Sequence, residues 1–170
     1  MMPDLLTHVL VGYSIGTLLA VRYERVRAAQ VTLVMVGALS PDFRKIAPVI
    51  PTGPLELVTG GPISWTPLHT LGGSVLVVLL GSLLVAPDYR RQTIVLTAIG
   101  AASHHVLDVA LLTATGDAYA VFFPISAYRP PSPDLYLSTD RWPAAVAGVL
   151  AIGSWAVRRD STTETLRPSD

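Results

Sequence analysis

The hexapeptide Ser103-His104-His105-Val106-Leu107-Asp108 sets three ionisable side chains inside an otherwise apolar run, 93–113. Such groups are costly at membrane depth and mark functional sites by default. On a helix His104 and Asp108 are four residues apart, so they share a face and could grip one ion. The other two histidines outside this motif, His8 and His69, also stand in apolar runs, and Asp42 follows Pro41 at the end of another. Imidazole and carboxylate without thiolate suit a divalent cation, zinc first, with manganese or iron as alternatives. A cation would relieve the cost of burying Asp42 and Asp108, and with an open coordination position it could acidify water. Plainer readings exist. His8 and His69 could be interfacial histidines, Asp42 a turn residue, and His105 a packing neighbour that supports the ligands. His104 and Asp108 resist this, because the run is apolar on both sides of them.

These residues need elements to carry them. Hydrophobic residues make up 51% of the chain and charged ones 14%, with a mean hydropathy of +0.51. An ordinary soluble domain carries about 25% charged residues. Apolar runs at 5–21, 31–39, 68–86, 93–113 and 143–157 supply the excess, and several approach the roughly 20 residues of a membrane span. The expected fold is all-α: an integral membrane bundle of about five helices over residues 1–159. Two long outer-side loops at 42–66 and 116–141 read as irregular, and 160–170 as a disordered polar tail. Asp4 is a plausible N-cap for the first helix. Pro41 stops the second, and Pro67 suits the first turn of the third. The fourth starts near Gln92, and Trp142-Pro143 opens the fifth. The chain has no cysteine, which excludes disulfides and thiolate metal sites. Its formal charge is zero and it has no basic block, so nothing points to nucleic acid. The first run lacks a positive n-region and does not read as a signal peptide.

Alternation of five helices would put the turns at 22–27 and 88–91 and the tail on one side. Those segments hold eight of the twelve Lys and Arg residues; the long loops hold Arg44, Lys45, Arg129 and Arg141. The short turns and tail are therefore expected in the cytoplasm and the long loops outside. Measured from the cytoplasmic helix ends at about 1.5 Å per residue, His8, Asp42, His69, His104 and Asp108 fall within a slab of about 10 Å. That slab lies in the outer half of the membrane. Arg129, in a long loop, could reach over it and hold an anionic group such as phosphate. Gly12, Gly16, Gly72, Gly73 and Gly100 would allow close helix contact.

Four short motifs occur in one order: Thr7-His8, Leu39-Ser40-Pro41-Asp42, Leu68-His69-Thr70, and Ser103-His104 with Asp108. In this the chain resembles the membrane-bound metal-dependent hydrolases, whose bacterial members are described as LexA-binding, inner-membrane-associated hydrolases. The likeness covers roughly residues 3 to 125. Arg44 stands where that family often has a second Asp, and Ser64 and Trp65 where it often has His-Arg, which favours one metal over two.

The expectation that follows is a membrane-embedded hydrolase of a lipid-linked ester, most simply a phosphoester. His8, Asp42, His69, His104 and Asp108 would form the ligand set. Asp42 or Asp108 would serve catalysis, Arg129 the substrate, and His105 the ligands. The bilayer and a lipid substrate are the expected partners; the oligomeric state is not legible. A non-enzymatic metal-binding transporter or sensor is the alternative, and a metal that only pins the helices is a third.

Overall fold

The structure, a computed structural model, describes residues 5–46 and 49–165; the proposed N-cap Asp4 lies outside them. Among the described residues there are six α-helices and no strand: α1 (Leu5–Arg22), α2 (Ala28–Leu39), α3 (Thr52–Thr59), α4 (Leu71–Ser82), α5 (Pro87–Val109) and α6 (Trp142–Thr165). Two 3-10 turns, Ser40–Ile46 and Thr66–His69, join α2 to α3 and α3 to α4. α2 packs between α1 and α5, α6 lies on α1, and α4 lies on α5.

Several expectations need correction. α3 is an additional helix inside the 42–66 segment. Pro54 is harmless in its first turn, where backbone N–H groups have no intrahelical partner anyway. Gly60, at φ 72°, closes the helix by donating to Glu56 O. Pro41 ends the α-helix but not the helical path. The carbonyl a proline cannot serve, Gly37 O, is taken by Ser40 through both its N–H and its hydroxyl, and the chain continues as a 3-10 turn. Pro67 opens a 3-10 turn rather than α4. The helix expected to start near Gln92 starts instead at Pro87, as proline can at a first helical position. The last helix runs to Thr165, into the segment expected to be a disordered tail; 166–170 lie outside the described residues.

Close approach of backbones sets the bundle geometry. A Cβ on Gly37 would stand 2.1 Å from Thr97 O, and one on Gly100 2.1 Å from Val34 O, so α2 and α5 touch main chain to main chain. Gly12 and Gly16 let α1 approach α2 in the same way. Gly72 and Gly73 instead admit the loop segments at Phe123–Pro124 and Pro67–Leu68. At one end of the bundle the two charged turns meet, with Gln92 Nε2 donating to Arg25 O at 3.3 Å.

The interior is built of small and polar residues: Val34, Ala38, Ala101, Ala147 and Ala151 beside Thr7, Thr17, Ser74, Thr97 and Ser154. Large apolar side chains point outward, among them Leu18 on α1, Leu76 and Leu80 on α4, Leu84 just beyond it, and Val149, Leu150 and Ile152 on α6. Among the described residues only α1 is long and apolar enough to cross a membrane by itself. α4 has 12 residues, roughly 18 Å of helix at 1.5 Å per residue.

Candidate metal centre

At the end of the bundle away from the charged turns, one face of α5 presents His104 and Asp108, four residues apart and both buried. His104 is fixed by α2. A helix leaves its last carbonyls without intrahelical partners, and one of these, Ala38 O, accepts a hydrogen bond from His104 Nδ1 at 2.8 Å. His69 is fixed the same way from the 3-10 turn before α4, its Nδ1 donating to Pro41 O at 3.1 Å. In both rings the proton sits on Nδ1, which leaves the Nε2 lone pair for the interior. Metal-binding histidines are oriented by just such a bond from their other nitrogen.

The free nitrogens converge on Asp108. His69 Nε2 lies 2.7 Å from its Oδ2, His104 Nε2 3.3 Å from the same oxygen, and His8 Nε2 3.3 Å from Oδ1. The His8 ring stacks on His104 with centroids 3.9 Å apart. Asp42, on the Ser40–Ile46 turn, closes the group: its Oδ2 accepts from Lys45 Nζ at 2.8 Å, and its Oδ1 is 4.0 Å from His69 Nδ1. The structure thus brings together all five residues singled out from the sequence.

The arrangement fits a cation. His8 Nδ1 and Nε2, His104 Nε2, Asp42 Oδ1 and Asp108 Oδ1 are buried with no hydrogen-bond partner. Each such group costs about 1–3 kcal/mol when left so. Two lone pairs face a carboxylate oxygen at His69 and His104, which is repulsive unless positive charge lies between them. His8, His104 and Asp108 offer ligand atoms within 4.8 Å of one another, as do Asp42, His69 and His104. This donor set of imidazole and carboxylate is that of a divalent transition metal.

His105 is turned away from the group. Its Nε2 lies 2.8 Å from Ser74 Oγ and its Nδ1 2.6 Å from the Tyr119 hydroxyl, so both nitrogens are occupied. Tyr119 sits in the segment after α5 with its ring 4.8 Å from that of His69. Burial pushes its phenol well above the ordinary value. The negative charge of Asp108 acts in the same direction, Arg44 opposes it, and Asp42 adds a smaller upward push. Tyr119 therefore stays a neutral hydroxyl. Arg129 does not touch the cluster. It lines a cavity of about 340 Å³ whose wall also includes His69 and Tyr119.

Sequence reasoning missed Lys45, Ser74 and Tyr119. Lys45 was findable, since a cation three residues beyond Asp42 on any helical turn faces it. Ser74 and Tyr119 carry no sequence signal, because only the tertiary fold brings them to His105.

The model of a family described as YdjM inner membrane protein matches residues 1–166. No curated protein and no solved structure matches the chain.

Proposed function

As the chain belongs to the YdjM inner membrane protein family, we propose that it is a multi-pass, membrane-embedded, metal-dependent hydrolase acting on a lipid-linked phosphoester. The observation that carries the reading is the convergence of three imidazoles and two carboxylates, with lone pairs turned inward, beside a cavity lined by arginine. His8, His69, His104 and Asp108 would hold a divalent metal, zinc first by donor type, with Asp42 as a further ligand or as the general base. When bound, such an ion lowers the pKa of water and polarises a phosphoryl oxygen.

The chain's own residues do the rest. Ala38 O and Pro41 O hold the imidazole tautomers, and Lys45 keeps one oxygen of Asp42 engaged while Oδ1 remains available to take a proton. Arg129 would orient the anionic group. The outward apolar side chains of α1, α4 and α6 support residence in lipid, and the charged turns at the opposite end support a cytoplasmic location for them.

A transport reading gains less support. Away from the cluster, buried polar residues such as Ser14, Ser82, Thr97 and Ser154 close their hydroxyls onto carbonyls of their own helix. Among the described residues no buried charged or histidine side chain continues the path towards the charged turns.

The test is metal content by mass spectrometry on detergent-purified protein, wild type beside His104→Ala and Asp108→Asn, followed by a phosphoester screen. About one equivalent in wild type, lost in both variants, is expected. A folded wild type that takes up no metal on reconstitution would overturn the hydrolase.

A further inference from the structure

Where the two charged turns meet, they frame an open groove of about 1040 Å³. Its rim carries Arg25 and Arg27 from the turn before α2, and Arg91 and Asp88 from the start of α5. All four are exposed. Among the described residues none of the three arginines forms an ion pair, with Asp88 or with any other carboxylate. Three cations against one carboxylate leave the rim with a positive surplus. The amide side chains beside it are engaged, Gln92 Nε2 donating to Arg25 O and Gln30 Oε1 accepting from Arg27 N. The floor is apolar. Leu19 of α1 and Val95 and Ile99 of α5 carry it away from the rim, and from Arg91 to Ile99 the helix advances roughly 12 Å. Tyr23 and Tyr89 flank the rim and are exposed, as aromatic side chains at the level of lipid headgroups are.

We infer that this groove binds one anionic phospholipid, with its phosphate at Arg25, Arg27 and Arg91 and an acyl chain over Leu19, Val95 and Ile99. A basic rim alone would fit any acidic ligand. A basic rim that gives way within roughly 12 Å to an apolar floor selects an amphiphile. A zwitterionic headgroup would bring a cation of its own to a rim already in positive surplus. The site lies at the opposite end of the bundle from the metal centre, so it rests on the proposed residence in the bilayer and not on the hydrolase chemistry. Its effect is to pin the charged end of the bundle in the headgroup layer.

The experiment is native mass spectrometry of the full chain in neutral-detergent micelles, titrated with phosphatidylglycerol and with phosphatidylcholine of the same acyl chains. Binding in micelles does not depend on which leaflet the charged turns face. Wild type should prefer phosphatidylglycerol. Each of Arg25→Gln, Arg27→Gln and Arg91→Gln should weaken that lipid about fivefold, and the triple variant should lose the preference. These exposed positions carry little risk to folding. Arg141→Gln, exposed and at the other end of the bundle, should bind as wild type does; an equal loss there would reduce the effect to general surface charge and overturn the groove. Equal affinity for the two lipids in wild type, or a preference kept by the triple variant, would also overturn it. Val95→Gln should weaken both lipids, and unchanged binding would overturn the acyl placement. Glycerol phosphate, which has the anion without the chains, should compete only weakly; displacement at concentrations matching the lipid would overturn the amphiphile. Metal content of the same samples separates the two proposals. Arginine-dependent lipid binding in a wild type that cannot take metal keeps the groove and removes the hydrolase, and metal-replete protein without lipid preference does the reverse.

Discussion

Asp108 faces His8, His69 and His104 within 3.3 Å while buried and has no cationic side chain beside it, whereas Asp42 has one lysine. That difference separates two side chains a sequence reader would treat alike. The Lys45 side chain is 40% exposed, so its pair with Asp42 is worth far less than the 3–5 kcal/mol at stake in a fully buried pair, on the order of 1 kcal/mol. In Lys45→Met, metal-stripped protein should lose about that much stability while metal-loaded protein loses less, because Asp42 keeps a positive partner. Thermal unfolding with and without chelator reads the gap; an equal loss in both states would show that no metal charge reaches Asp42. His105 makes a complementary case. Tyr119→Phe strips the hydroxyl from its Nδ1 and should cost about 1–3 kcal/mol with metal content unchanged. Loss of metal in that variant would make His105 part of the coordination.

The elements matter here through how closely they approach. His104 can reach Ala38 O only because α2 and α5 touch at Gly37 and Gly100. A methyl group on Gly100 would meet Val34 O at 2.1 Å and Ala38 N at 2.6 Å, and backbone cannot step aside. Gly100→Ala should therefore cost about 1–3 kcal/mol or more and lower metal retention, since the carbonyl that orients His104 moves away. Gly148→Ala, also inside a long helix but facing open space, should be neutral or stabilising by up to about 1 kcal/mol. Similar unfolding midpoints for the two would sink the close-contact argument. The sites of chemistry were legible in sequence because buried ionisable residues in apolar runs have few explanations, and counting along helices brought His8, His69 and His104 to one depth. The element boundaries were less legible. Pro41 reads as a stop and Pro67 as the start of an α-helix, yet both lie at or near the start of a 3-10 turn, and Pro87 starts α5 itself; at each place the missing N–H costs nothing. Gly37 escaped notice because a glycine against a backbone looks no different in sequence from Gly148 in open space.

Across the whole molecule the polarity runs opposite to that of a water-soluble bundle. The four histidines, Asp42, Asp108 and a set of serines and threonines are inside, and leucines and valines of α1, α4 and α6 face out. In water this would forfeit the hydrophobic stabilisation of the largest side chains, about 25 cal/mol per Å² of apolar surface; in hydrocarbon nothing is lost by it. Only α1 meets the length and apolarity of a lone span. Short α4 could still reside in the bilayer if α5 and the loop segment at 121–124, which bonds Leu71 and Gly72 through Val121 O and Phe123 O, shield its polar end from lipid. The absence of cysteine makes the geometry directly testable with single-cysteine variants in intact spheroplasts. Glu24→Cys lies on a charged turn and Thr139→Cys near the metal-centre end, both at exposed positions. If the proposed orientation holds, with the charged turns in the cytoplasm, a membrane-impermeant maleimide should label Cys at 139 from outside and reach Cys at 24 only after permeabilisation. The reverse pattern would keep the spanning bundle and invert it, moving the phosphoester site to the cytoplasmic leaflet. Labelling of both positions from the same side would mean that the bundle lies on the membrane, with its apolar faces covered by something other than lipid.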